Sequence, residues 1–345
     1  MSRFRPAALL VLALPAASAC VSLAPRSRAP SPQASVVPGI PLMTFAEDRC
    51  GAGSLALVLS ARGASHPVEE LEAVLPEVEG RGVLSVDMLL AARSRGFDAA
   101  LLTGTPRSLQ RELAAARPAI LMLRLLDAPG ERRDIYHYVV ADGADPSRGL
   151  FRLQYGDGKA RWARLASIED GWKAAGHALL VVRTREETDA VLARAMTLES
   201  ERRFDEAEAL YREVLEVRPY SVRAWVDVGN VAAQRGRRAD AEAAYRRALG
   251  VDADDRDALN NLAWLLLEAG ARLEEAESLA LRAAAPPGPD RPRAQDTLGR
   301  IQLARGRCDD AARTFREALE AEALADGTRA QLQEGAAQAA ACPQR

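Results

Sequence analysis

Asp48-Arg49-Cys50-Gly51-Ala52-Gly53-Ser54-Leu55-Ala56-Leu57-Val58-Leu59 sets one thiol between a polar approach and an apolar run that ends near Gly63. The segment reads as a helix with Cys50 in its first turn. The N–H groups of a first turn lack intrahelical partners, and the helix dipole there favours an anion. A thiol so placed ionises more readily, and the thiolate is the nucleophile. Further along the chain, His137 lies in the strand-like run Ile135-Tyr136-His137-Tyr138-Val139-Val140. Either residue alone reads first as structural, since an isolated buried thiol behaves as a small hydrophobe. Cysteine first and histidine later, on separate elements, points to a thiol hydrolase.

The chain has 345 residues, enough for two domains, and Lys+Arg 46 against Asp+Glu 48. No basic block suggests nucleic acid, and no acidic tail suggests a charge-driven partner. The positive charge is arginine throughout, apart from Lys159 and Lys173. Cys20, Cys50, Cys308, Cys342, His66, His137 and His177 have no zinc-ligand spacing. The expectation is therefore no metal and no cofactor.

Arg3 and Arg5 precede the apolar core Ala7-Ala8-Leu9-Leu10-Val11-Leu12-Ala13-Leu14, which is too short to span a membrane. Ala17-Ser18-Ala19-Cys20 follows. Residues 1–20 resemble a bacterial lipoprotein signal, in which Cys20 becomes the lipidated N-terminus, although alanine replaces the usual leucine three places before it. Val21 in place of aspartate implies the outer membrane, with the chain facing the periplasm. Residues 21–39 read as a flexible tether rich in Pro, Ser and Ala. The membrane is contacted through the N-terminal lipid only.

Residues 40–183 carry helix signals first and strand signals second, an α+β domain. After the Cys50 helix come Val68–Leu75, a helix capped by Ser85 and ended by Gly96, and one capped by Thr105 with Pro106 at its first position. Strands are expected at Ala119–Leu123, Tyr136–Ala141, Leu150–Tyr155, Arg161–Arg164 and Ala178–Val182, with a short helix from Ser167 to Trp172. The ordered set Cys50-Gly51, Gly82-Val83-Leu84-Ser85-Val86-Asp87-Met88-Leu89, Arg117-Pro118-Ala119-Ile120 and His137-Tyr138-Val139-Val140 resembles the bacteriocin-processing, double-glycine leader peptidase family. The closest likeness is to a lipoprotein branch with tetratricopeptide repeats after the domain. The resemblance implies a papain-like cysteine peptidase fold, with Cys50 as nucleophile and His137 as general base. It puts the third residue on the next strand, where Gln154 is the better match and Asp157, in the Gly-Asp-Gly turn, the other. The family's oxyanion-donating glutamine lies five or six places before the cysteine; Phe45 and Thr44 stand there. Losing one such donor costs about 100- to 1,000-fold in rate.

From residue 188 a period of about 34 appears. Ala207, Tyr211 and Val214 recur as Ala241, Tyr245 and Ala248; Leu298-Gly299, Ala311, Phe315 and Ala318 form a further unit. Residues 188–345 therefore read as an all-α tetratricopeptide solenoid of about four units, closed by a helix at about Thr328–Ala341. The third unit is irregular around Ala271–Ala276. Asn230, Asn261 and Arg293 fall where some arrays grip a peptide carboxylate; helix packing is the simpler role for them. Cys308 and Cys342 should lie at one end of the array, where an oxidising periplasm permits a disulfide.

Two functions follow. One is an envelope-anchored cysteine peptidase whose repeats dock a protein substrate or partner. The other, favoured by Phe45 and Thr44, is a catalytically inactive peptide-binding scaffold of an envelope complex. Acyl transfer by the same Cys–His pair is a third chemistry.

Overall fold

The computed structural model describes residues 24–63, 66–78, 82–125, 135–321 and 324–342. The signal segment and Cys20 lie outside them. The chain divides into two compact units between Arg185 and Glu186.

The first unit opens with β1 (Ser35–Val36), then α1 (Cys50–Ser60) and α2 (Val68–Glu72). A small hairpin, β2 (Glu77–Val78) and β3 (Gly82–Val83), leads to α3 (Ser85–Ser94). Next come β4 (Asp98–Thr103), α4 (Pro106–Ala114), β5 (Ala119–Leu125), β6 (Ile135–Asp145), β7 (Leu150–Gln154), β8 (Ala160–Arg164), α5 (Glu169–Ala174) and β9 (Ala178–Arg183). The strands form one antiparallel sheet in the order β4-β9-β5-β6-β7-β8, with β1 added to β6. α1 is buried from Cys50 to Leu59. Its leucines share a core with Ile120, Tyr138, Val140, Leu180 and Val182 of the sheet. Burying each such leucine contributes roughly 1.5–3 kcal/mol, so α1 is the organising element of the unit.

The helix at Pro106 starts as its sequence indicates: Thr105 accepts from the Ser108 N–H, and the Ser108 hydroxyl answers at the Thr105 N–H. Two expectations are corrected and one strand is added. Ser85 is not a cap; Leu84 holds that position, and the Ser85 hydroxyl pairs with Tyr138 Oη at 2.9 Å. β4 was not anticipated. Its Ala-Ala-Leu-Leu stretch favours helix locally, and six paired positions on β9 override that preference. Residues 27–37 are not a free tether. The Trp162 N–H donates to Ser27 Oγ (3.1 Å), Arg28 N–H to Trp162 O (2.8 Å), Val37 N–H to Asp142 O (2.7 Å), and Ser31 to the Asp145 carboxylate. β8 is a sheet edge, and Ser27 and Arg28 of the strap take up the Trp162 N–H and C=O on it, while Ser31 and Val37 bond to β6.

The second unit is all helix: α6 (Arg185–Ser200), α7 (Phe204–Val217), α8 (Val222–Gln234), α9 (Arg238–Val251), α10 (Arg256–Glu268), α11 (Leu273–Ala284), α12 (Arg291–Ala304), α13 (Cys308–Leu319) and α14 (Asp326–Ala340). They pack as successive antiparallel pairs with α14 closing the last. The spacing of small and large residues has a direct cause. A methyl group at Gly229 would sit 2.4 Å from the Tyr245 ring, and one at Gly299 2.5 Å from Phe315. The irregular third unit turns through Arg272, whose φ of 52° is left-handed. Cys308 and Cys342 are disulfide-bonded, with Cα atoms 6.0 Å apart.

Candidate functional site

Cys50 is the first residue of α1 and is 8% exposed. The preceding Arg49 provides no side-chain cap, and a 3-10 turn over Glu47–Arg49 leads directly into α1. α1 lies against β6, where Ser54, one turn after Cys50, donates to Tyr138 O at 3.4 Å. Tyr138 Oη donates to Val83 O at 3.0 Å, joining β6 to the β3–α3 junction. Burial raises the Tyr138 phenol to about 12, and charge on the nearby Cys50 adds to that rise. The thiol therefore sits beside the residue that follows His137.

His137 is 2% exposed. Its Nε2 lies 3.1 Å from the main-chain oxygen of Tyr155, and its ring stacks near-parallel on the Tyr155 ring with centroids 6.1 Å apart. A carbonyl only accepts, so Nε2 carries the hydrogen. In the neutral ring Nδ1 then holds the lone pair, the arrangement a general base needs.

Neither expected third residue holds this histidine. Gln154 is paired across the sheet with Val140, and its Nε2 donates to Asp142 Oδ2 at 2.6 Å. The bulge between Ala141 and Gly143 turns the Asp142 carboxylate toward Gln154 and Arg152. Burial pushes the Asp142 carboxyl up, against the pull of Gln154 and Arg152. Asp157 is ion-paired with Arg161 at 2.5 Å, and that bond holds its carboxyl below the usual range. His66 and His177 pair instead with Glu70 and Glu169.

Thr44 and Phe45 lie across the same end of the sheet. Phe45 N–H donates to Gly156 O at 2.9 Å, and Thr44 bridges to Asp157. The Phe45 ring fills the space between Gly53 of α1 and Gly156; a methyl group at either would come within 2.4 Å of it. An apolar ring thus packs beside the first turn of α1, where the family likeness would put an amide donor.

In the second unit, a cleft of about 440 Å³ between α6 and α8 is lined by Met196, Glu199, Arg223, Asp227, Asn230 and Gln234, among others. Asn230 Oδ1 accepts from Tyr245 Oη and from Asn261 Nδ2, both at 2.9 Å, so it ties α8 to α9 and α10. Arg293 is paired with Asp257. Trp264, one turn beyond Asn261, is 38% exposed. One stitch was missed from sequence: Arg237 pairs with Glu208, Arg272 with Glu242, and Arg307 with Glu277, each reaching back one repeat. The recurrence of glutamate at 208, 242 and 277 and of arginine at 237, 272 and 307 was the available signal.

Residues 191–297 match the family model described as the middle TPR-like domain of cilia and flagella-associated protein 70. No curated protein sequence matches the chain. Among solved structures, Pseudomonas aeruginosa PilF is 22% identical, with a TM-score of 0.40 over 46% of this chain and 78% of that one. YrrB, a TPR protein with an unusual peptide-binding site, is 21% identical, with a TM-score of 0.37 over 44% and 75%. PilW, a type IV pilus biogenesis factor, is 18% identical, with a TM-score of 0.39 over 47% and 81%. The second unit is a TPR-like helical array, and the first contains an antiparallel sheet.

Proposed function

We propose that this chain is a protein-docking scaffold of the bacterial envelope, anchored through a lipid on Cys20, whose repeats hold a peptide or protein segment. The observation that carries the reading is the cleft lined by Asn230, with Asn261 of α10 bonded to Asn230 and the half-exposed Trp264 one turn further along α10. It offers amide groups for a peptide backbone and an aromatic surface for a side chain. A photo-crosslinking amino acid at position 264 should capture a peptide segment that one at Tyr220 does not. Equal capture from both positions would remove the reading.

A specific observation favours a second activity in the same molecule. Cys50 at a helix start and His137 with Nε2–H held by a carbonyl are the parts of a papain-like thiol peptidase. In that reading His137 Nδ1 takes the thiol proton and Cys50 sulfur attacks a peptide carbonyl. The amine leaves with that proton, and water then releases the thioester. The Phe45 ring makes the scaffold the leading reading, because the oxyanion is left with backbone donors. Iodoacetamide labelling separates the two. A peptidase site should label Cys50 faster than the unfolded chain, and His137→Ala should slow it about tenfold or more. Labelling no faster than the unfolded chain, and unchanged by His137→Ala, leaves the scaffold alone.

A further inference from the structure

The strap that covers the β8 edge carries an unexplained concentration of positive charge. Arg26 and Arg28 on the strap, Arg148 in the β6–β7 turn, Lys159 before β8 and Arg164 at its end are all exposed. The bonds of Ser27 and Arg28 to Trp162 put the start of the strap on this edge, and Arg148 Nη1 donates to Ala29 O at 2.8 Å. Asp145 and Asp157 are spent on local bonds. Asp145 is enclosed by Ser31, Ser147 and the Arg148 N–H, and Asp157 is paired with Arg161.

Six residues separate Cys20 from Ser27, the first strap residue bonded to the sheet. Fully extended, the seven steps between them span at most roughly 25 Å. A lipid on Cys20 would hold this edge within that distance of the bilayer, where a long tether would leave all faces equivalent. We propose that the strap and β8 edge form a membrane-docking face, its arginines meeting anionic phospholipid headgroups. The inference rests on the lipid-anchor reading for its proximity, and on the residues of this edge for its chemistry. Each surface cation near an anionic bilayer adds about 1 kcal/mol, so several would add to the hold of the lipid on Cys20.

The test uses the full mature chain from residue 20 with Cys20→Ala, which removes the lipid. Its co-sedimentation is compared on vesicles with 30 mol % phosphatidylglycerol and on pure phosphatidylcholine. Binding should occur to the first only and be lost at high salt. Arg26→Glu/Arg28→Glu/Arg164→Glu should weaken it about a hundredfold or more, with circular dichroism unchanged. Arg26→Gln/Arg164→Gln provides a milder form that leaves the strap bonds alone and should weaken it in the same direction. No binding to either vesicle, equal binding to both, or binding indifferent to these variants overturns the proposal. The mass of the N-terminal peptide of the unmodified chain made in a Gram-negative host tests the anchor separately. An acylated Cys20 supports it, and an unmodified Cys20 removes the anchor reading and with it the proximity argument.

Discussion

His137 Nε2 is held by the main-chain oxygen of Tyr155 at 3.1 Å, while the neighbouring Gln154 side chain turns to Asp142. The histidine is therefore oriented by backbone, and Gln154 serves the sheet. Gln154→Ala should leave the rate of Cys50 alkylation and its pH profile unchanged. It should cost about 1–3 kcal/mol in urea unfolding, because Asp142 loses a buried donor. A large fall in thiol reactivity with unaltered stability would restore Gln154 to the site.

Burial raises the Asp145 carboxyl, but hydrogen bonds from Ser147, Ser31 and the Arg148 N–H outweigh it and bring it to about 2. The folded value lies below the ordinary carboxylate value of about 3.9. Its contribution is thus fully present above about pH 4 and is lost as pH falls toward 2. Urea midpoints compared at pH 5 and at about pH 2.5 should drop more for the parent chain than for Asp145→Asn. Equal drops would show that the strap does not depend on this carboxylate.

Gly299 and Gly250 form a matched pair. A methyl group at Gly299 meets Phe315 at 2.5 Å, whereas one at Gly250 meets nothing within 4 Å. Gly299→Ala should destabilise the array by about 1–3 kcal/mol through overpacking. Gly250→Ala, on helix α9, should stabilise it by roughly 0.5–1 kcal/mol. Thermal unfolding followed at the helical circular dichroism band reads both signs.

The Cys308–Cys342 disulfide closes a loop with a sequence separation of 34. Chain entropy predicts that reducing it lowers the stability of the unit by roughly 3–4 kcal/mol. Dithiothreitol should move the urea midpoint down in the parent chain and leave Cys308→Ser/Cys342→Ser unmoved. Alkylation of Cys308 and Cys342 in the oxidised protein would contradict the bond.

Much of the fold was legible because its causes are local or periodic. The Leu55–Leu59 run announced α1, and alternating small and large residues announced the paired helices. β4 was hidden because its alanines and leucines take their strand conformation from β9. The strap was hidden because Pro and Ser composition does not report a docking edge. At the candidate site, Cys50 and His137 were legible as residue types in order. The Tyr155 carbonyl was not, since every residue has one, and the Ala141–Gly143 bulge that turns Asp142 to Gln154 leaves no mark in composition.

The docking claim is met most directly by the affinity of a panel of fluorescent dodecapeptides for the full chain and for Trp264→Ala, read by polarisation. Trp264 is half-exposed, so its removal leaves the array folded. A subset of peptides should bind the parent chain and lose about 30-fold in affinity in the variant, as with an exposed aromatic anchor. Peptides that bind both chains equally, or a panel in which none binds, would contradict it.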